Sequence, residues 1–383
     1  MKHGRKTKIQ LNPLAYNLAL IGEGGIGKTT IIKEYCEKLA GEDGYLFLEI
    51  GKEDGGDCIN GLNHINCPDW DSDFRLIGDN EFAGFRTVID DIVENRSADY
   101  PELKVVVIDT YDELFSIAEP EVIAMHNRTY PSEKAVKSIK AAFGGFQAGE
   151  DKAIEIVLDA LWDLKSVGVS FIVIGHTKNK NVTDPVTGED YLQLTTNLPT
   201  KYFNAIKTKV HFMGTAFIDR RIAREKTGKK DLKTQRDITK GVVKEQTRKI
   251  SFRDNNFVID SKSRFADITD ENIDFTVDAL IGAIQDAILK EHAKGGKSVE
   301  QSKAEQEKEE AEKLKLVAEQ EKARKAEAEL LSVVSEIKDL FKENKNNMEV
   351  LKPAVNKMRE LGYGNPNDID DISNAKLILA EIK

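Results

Sequence analysis

Hydrophobic positions follow two periods along this chain. Short, nearly continuous apolar runs occur at Asn17–Ile21, Tyr45–Ile50, Val105–Asp109 and Phe171–Gly175. Runs of this length bounded by glycine or charge read as buried strands. Helical spacing fills the intervals, from Ile31 to Leu39 and near 82–95 and 151–166. Alternating strand and helix patterns predict an α/β fold with a mainly parallel sheet covered on both faces. A second strand-rich region is expected over 209–218 and 248–260, and a helix from Phe275 to Leu289 closes the globular part.

Beyond residue 290 the apolar pattern stops. Residues 291–329 hold 11 acidic and 9 basic side chains, many Ala and Gln, a Gly295-Gly296 break and no sustained heptad. That composition predicts a solvated, charged helical linker. A 3.6-residue pattern returns with Leu330, Val333, Val334, Ile337, Leu340 and Phe341, followed by helical pieces centred on Val355 and Leu377 on either side of Gly362–Pro366. The expected organisation is therefore a domain at 1–290, a linker at 291–329 and a small helical module at 330–383, with no internal repeat.

Composition narrows the function. No run approaches the ~18 consecutive apolar residues of a membrane span, and Met1–Gln10 lacks the apolar stretch of a secretion signal. Three cysteines, Cys36, Cys58 and Cys67, do not make a disulfide framework. A cytoplasmic enzyme or binding protein is expected. The net charge of −10 argues against a general polyanion binder, but the charge is segregated. Residues 41–130 carry 21 acidic against 6 basic side chains, and residues 201–253 carry 16 basic against 5 acidic. Such segregation builds a local anion-binding face, or lets the two stretches neutralise each other across the fold.

Between the first strand and the first helix lies Gly22-Glu23-Gly24-Gly25-Ile26-Gly27-Lys28-Thr29-Thr30, which fits G-x-x-x-x-G-K-[ST] completely. Glycines let the backbone curl so that successive N–H groups point inward at phosphate oxygens, and the following helix start adds its dipole. Lys28 is placed to reach the β- and γ-phosphates and Thr29 to ligand Mg²⁺. The same glycines match G-x-G-x-x-G, but the Lys28-Thr29 completion favours a mononucleotide over a dinucleotide.

A phosphate site of this type needs a carboxylate at the end of a neighbouring buried strand, and Val105–Asp109 supplies Asp109 as the Mg²⁺ partner. Asp112 and Glu113 follow closely, as auxiliary groups or as a solvated helix start. A water-orienting carboxylate is expected after the second strand, where Glu49, Glu53 and Asp54 are available; Glu53, in the glycine-rich loop, is preferred. His176 ends the Phe171–Gly175 strand, where a polar side chain can sense the γ-phosphate. Cys58, His64 and Cys67 form C-x5-H-x2-C, too few soft ligands for structural zinc.

The phosphate loop, Asp109 and the Phe171–Lys178 strand end together resemble the RecA-like P-loop ATPases, in particular the compact RecA-like ATPases of phages, some of which act in single-strand annealing or recombination. Phe257–Phe265 resembles the K-x-R element of RecA-like ring ATPases of the DnaB and KaiC type. By that resemblance Lys262 and Arg264 reach the nucleotide of a neighbouring subunit, which implies a homo-oligomer. The resemblance covers about residues 12–290 and implies ATP and Mg²⁺ as cofactors. It also implies polymer-contacting loops at Ala141–Gln147, where glycines flank Phe143 and Phe146, and at Lys178–Thr200.

Downstream, Arg220, Arg221, Arg224, Lys226, Lys229 and Lys230 suit phosphate contacts. The expected activity is ATP-dependent action on single-stranded DNA in recombination, annealing or replication, with residues 330–383 recruiting a protein partner or reaching DNA. A ring-forming helicase-like motor and a nucleotide-switched assembly ATPase are the alternatives.

Overall fold

The computed structural model describes residues 7–53, 55–183, 187–230, 237–254, 258, 260–345 and 347–382, with the side chains of 226–230 and 237–239 excepted. Asp54, the side chains of Lys226, Lys229 and Lys230, positions 184–186 of the expected second polymer loop, and Phe257 and Ile259 of the K-x-R segment lie outside the described residues. Among the described residues, no helix is long and apolar enough to cross a membrane. The chain divides into two compact units, one of residues 1–93 and 100–310 and one of residues 94–99 and 311–383.

In the first unit, β1 (Leu18–Gly22) leads into α1 (Lys28–Ala40), and β2 (Tyr45–Ile50) follows. Three short strands come next: β3 (His64–Cys67), β4 (Arg75–Ile77) and β5 (Asn80–Phe82). After α2 (Phe85–Glu94) come β6 (Val105–Asp109), α3 (Tyr111–Thr129) and α4 (Ala148–Ser166). Then β7 (Ser170–Thr183), β8 (Asp190–Thr196), α5 (Thr200–Lys207), β9 (Phe212–Lys230) and β10 (Asp237–Ser251) complete the large strands. β11 (Lys262–Ser263), β12 (Ile273–Asp274) and α6 (Val277–Ala293) end the series.

The sheet order is β12-β10-β9-β1-β7-β6-β2-β3-β5-β4, with β11 on β9 and β8 on β7. From β9 to β5 every pairing is parallel, so the backbone ends of β1, β2, β6 and β7 open on one edge. On one face Leu18, Leu20, Phe47, Val107 and Ile174 pack with Ile32 and Tyr35 of α1 and Leu280 and Ile284 of α6. Alternate residues such as Val106, Ile108, Phe171 and Val173 are also buried, and α3 and α4 cover β7. Two-sided burial is why these strands carry unbroken apolar runs instead of alternation.

Two hairpins extend past this core. β7 runs to Thr183 and pairs antiparallel with β8, from Thr177↔Thr196 to Thr183↔Asp190. The expected polymer loop at 178–200 is thereby corrected: its described residues are mainly a two-stranded ladder, because Val182, Thr183, Tyr191 and Leu192 favour extended backbone. β9 and β10 likewise pair from Ser251↔Thr215 out to Asp237↔Lys230, with irregularities near Val243 and Thr239.

α7 (Val299–Glu343) is one continuous helix through position 330, where the return of apolar residues alone set a boundary. In the second unit it is joined by α8 (Met348–Glu360) and α9 (Ile372–Ala380), which enclose a core of Val334, Ile337, Leu351, Ala354, Met358 and Ile378. Glu321 is held in this unit by the Ser97 hydroxyl at 2.6 Å and backbone N–H at 2.7 Å.

Candidate nucleotide site

β1 ends at Gly22 because the chain passes close to β9: a Cβ there would lie 2.8 Å from the Ala216 carbonyl oxygen and 2.9 Å from its Cβ. The loop then curls through two left-handed glycines, Gly25 at φ +73° and Gly27 at φ +102°, conformations that L side chains avoid. Open space lies over Gly24 and Gly25, where no other atom comes within 4 Å of an added Cβ. Gly27 caps α1, so the concavity faces the helix N-terminus.

Lys28 is buried and folds back over this concavity. Its ammonium donates to the carbonyls of Gly22 at 3.2 Å and Glu23 at 3.1 Å. Burial lowers its pKa, opposed by the charges of Asp109, Asp112 and Glu53. The Thr29 hydroxyl donates to Asp109 Oδ2 at 2.7 Å. Burial raises the pKa of Asp109, the Thr29 hydrogen bond works against that rise, and the charge of Glu53 adds to it. The loop, a retracted ammonium and a hydroxyl–carboxylate pair are the donor set that a magnesium-bound nucleotide requires. Thr29 and Asp109 would hold the cation, directly or through water, and Gly22–Thr30 the phosphates.

The two candidate water-orienting carboxylates occupy different surroundings. Glu49 sits beside Asp109 in the β2–β6 ladder, buried, with Oε1 accepting from the Gly56 N–H at 2.5 Å. Its Oε2 faces His64 Nε2 at 3.6 Å, and His64 in turn faces Asp57 at 3.4 Å. Burial raises the Glu49 pKa. Both of its oxygens are thus turned to the loop that follows β2 and to β3. Glu53 lies in that loop, its backbone N–H bonded to the Ile50 carbonyl, and its charge acts on both Lys28 and Asp109.

His176 is paired with Gly22 in the β1–β7 register. Asp112 Oδ2 accepts from its backbone N–H at 2.6 Å and lies 3.2 Å from its Nδ1. Asp112, read from sequence as an auxiliary group or as part of a solvated helix start, therefore orients His176. Glu113 instead accepts from the Ser116 hydroxyl at 2.9 Å.

Lys262 and Arg264 are not brought to the chain's own phosphate loop. β11 pairs with Met213 and Phe212, which lie level with Ala19 and Leu18 at the start of β1. Lys262 Nζ donates to the Lys207 carbonyl at 2.5 Å, and Arg264 donates to the carbonyls of Val210 at 3.3 Å and of Thr208. The pair closes the α5–β9 turn at the opposite edge of the sheet.

In the first polymer loop, Phe143 packs on His126 and Tyr130, whereas Phe146 is fully exposed at φ +49°. Lys201 holds the Gln147 carbonyl at 3.2 Å and Asp151 at 2.8 Å. All three cysteines are free, and no group of three or more metal-binding side chains occurs among the described residues.

Sequence reasoning missed Arg248 and Phe275. Both reach the phosphate loop from the far side of β1, at 3.6 Å and 3.5 Å from where a Gly27 Cβ would stand. No local motif marks them, since strand order alone creates the contact.

No curated protein matches the chain. A family model described as AAA domain matches residues 14–265, which contain the phosphate loop, Asp109, His176 and Arg248. The chain belongs to the AAA-domain family of P-loop ATPases.

Proposed function

We propose that the chain is a magnesium-dependent ATPase of the RecA-like type that acts on single-stranded DNA in recombination, annealing or replication. The observation that carries the ATPase reading is the 2.7 Å bond between Thr29 and Asp109. It joins the phosphate loop to the one strand-end carboxylate expected to hold the cation.

A bound magnesium ion would neutralise phosphate charge and align the β- and γ-phosphates. The remaining work falls to side chains. Lys28 exchanges its two carbonyl contacts for phosphate oxygens. Glu53, in a loop anchored through Glu49 and Gly56, orients water. His176, held by Asp112, reads the γ-phosphate position. Lys262 and Arg264, remote from the chain's own loop, serve a neighbouring copy, each needing to release carbonyl contacts to do so.

The DNA part is supported by the β9–β10 ribbon. Arg220, Ile222 and Arg224 alternate onto one face, and Ile222 and the paired Val243 are exposed apolar side chains. Arg248, opposite Ile218, adds charge to that face from β10, whereas Lys240 lies opposite Glu225 on the other face. Lys244 is paired with Glu225. Such a surface suits backbone tracking with apolar contact to bases, and the exposed Phe146 offers a stacking ring. The helical module of 330–383 recruits a partner protein or a second DNA segment, its tether raising local concentration.

The test is the ATPase rate with and without single-stranded oligonucleotide, together with binding across a salt series. Stimulation by DNA and an affinity that falls steeply with salt are expected, and Arg220→Ala/Arg224→Ala flattens the slope by about two contacts. Slow turnover indifferent to DNA, with no binding at low salt, would instead favour a nucleotide-switched assembly ATPase. Directional strand displacement would favour a motor.

A further inference from the structure

We propose that Phe275 and Arg248 form the seat for the nucleobase end of the bound nucleotide. Phe275 stacks on the base, and Arg248 binds the phosphate nearest it. The inference rests on the nucleotide reading of the phosphate loop and specifies where the rest of the ligand lies.

The direction of the ligand follows from strand order. Thr29 and Asp109, the pair that would hold the cation and with it the terminal phosphates, lie on the β7–β6 side of β1. Lys28 and His176 lie at the same end of β1. A triphosphate anchored there runs its α-phosphate, ribose and base away from β6, towards β9 and β10. On that side Phe275 Cε1 stands 3.5 Å and Arg248 Nη1 3.6 Å from the Cβ position of Gly27, the residue that caps α1.

The two side chains are held as a pair. The Phe275 N–H donates to the Arg248 carbonyl at 3.1 Å, which fixes the chain leaving β12 against β10. Phe275 packs at the margin of the α1–α6 core and is only half-buried. One part of the ring is therefore supported while the rest is left open. Arg248 is exposed, two residues beyond the Ile250↔Ala216 pair that lies level with Gly22. A ring and a guanidinium beside a helix N-terminus provide, respectively, a base-stacking face and a phosphate donor.

The seat also gives Arg248 a second consequence. It lies at the root of the basic ribbon, so a nucleotide gripped by Arg248 fixes the base of that ribbon.

The proposal separates from its foundation by comparing two ligands, MgATP and magnesium tripolyphosphate, which carries the same charge pattern without ribose or base. Calorimetric affinities are measured on the full chain, as wild type, Phe275→Ala, Phe275→Trp and Arg248→Gln. Wild type is expected to bind both ligands, MgATP more tightly. Phe275→Ala weakens MgATP about tenfold and leaves tripolyphosphate within about twofold. Phe275→Trp keeps MgATP affinity, and Arg248→Gln weakens both ligands. Equal losses of both ligands in Phe275→Ala, or no loss of either, overturn the base seat while the phosphate site stands. Unchanged affinities in Arg248→Gln overturn the arginine's part. Wild type that binds neither ligand removes the nucleotide reading and this inference together.

Discussion

The Thr29 hydroxyl donates to Asp109 Oδ2 at 2.7 Å across 80 residues of chain. The bond forms because β1 and β6 both flank β7 in parallel register and end on the same edge. It sets two oxygens side by side where the proposed cation would sit. Asp109→Asn keeps an acceptor for Thr29 but removes the charge. It is expected to lower ATPase kcat by about 100-fold or more, with Mg²⁺ titration demanding higher concentrations. Thr29→Ser should retain activity. Near-normal turnover of Asp109→Asn at ordinary Mg²⁺ would show that the cation is held elsewhere.

Glu49 and Glu53 separate by the same logic. Glu49 spends one oxygen on the Gly56 N–H and turns the other to His64, whereas the charge of Glu53 acts on Lys28 and Asp109. Glu53→Gln is expected to cut kcat by about 10²–10³ while preserving MgATP affinity. Glu49→Gln should alter kcat less and should loosen the loop after β2, read as faster amide exchange near Gly55–Ile59. Reversed severities would transfer the water-orienting role to Glu49.

Glycines at neighbouring positions of the loop should differ sharply in tolerance. At Gly22 an added methyl meets the Ala216 backbone at 2.8 Å, while at Gly24 nothing stands within 4 Å. Gly22→Ala is expected to cost about 1–3 kcal/mol through forced separation of β1 and β9, measured by urea unfolding. Gly24→Ala should leave stability within about 0.5 kcal/mol and act only on nucleotide affinity. Equal stability of the two variants would mean that β9 yields without cost.

The core strands and the phosphate loop were legible because burial on both sheet faces writes continuous apolar runs, and because curling a backbone around phosphate demands glycine at fixed spacing. β2 and β6 fall on the residues that the apolar runs mark. What was hidden depends on pairing across distance. β7 continues past the buried Gly175 into polar residues, and those residues are strand only because β8 folds back on them. α3 spans Tyr111–Thr129 with Pro120 inside it, a breaker that obscured a helix stabilised by packing. The link from Asp112 to His176 and the approach of Arg248 to Gly27 arise from sheet order, which periodicity along one segment does not encode. Lys262 and Arg264 show the converse case. A suggestive triplet finds nearby carbonyls to satisfy, and only an arrangement of several copies would give it other work.

Acid sensitivity should come from His211. Its Nδ1 accepts the Asn17 backbone N–H at 3.0 Å, which requires a neutral ring. Burial and the nearby charges of Lys165, Arg264 and Lys262 push its pKa down to about 4 from 6.5. The unfolded chain therefore binds a proton between those values while the folded chain does not. Stability contributed by neutral His211 is complete above about pH 6.5, falls as pH drops through the window, and stops falling near pH 4. The full shift corresponds to about 3 kcal/mol, reduced towards about 2 kcal/mol by solvent screening at this partly exposed site. Urea midpoints of wild type and His211→Asn, taken from about pH 7 to about pH 5 to stay above most carboxylate titrations, isolate the effect. The variant should be the less stable at neutral pH, having lost ring contacts with Tyr16, yet show the shallower decline on acidification. Parallel declines in the two proteins would mean that protonated His211 is accommodated by the fold, and that the three cations around it do not set its charge.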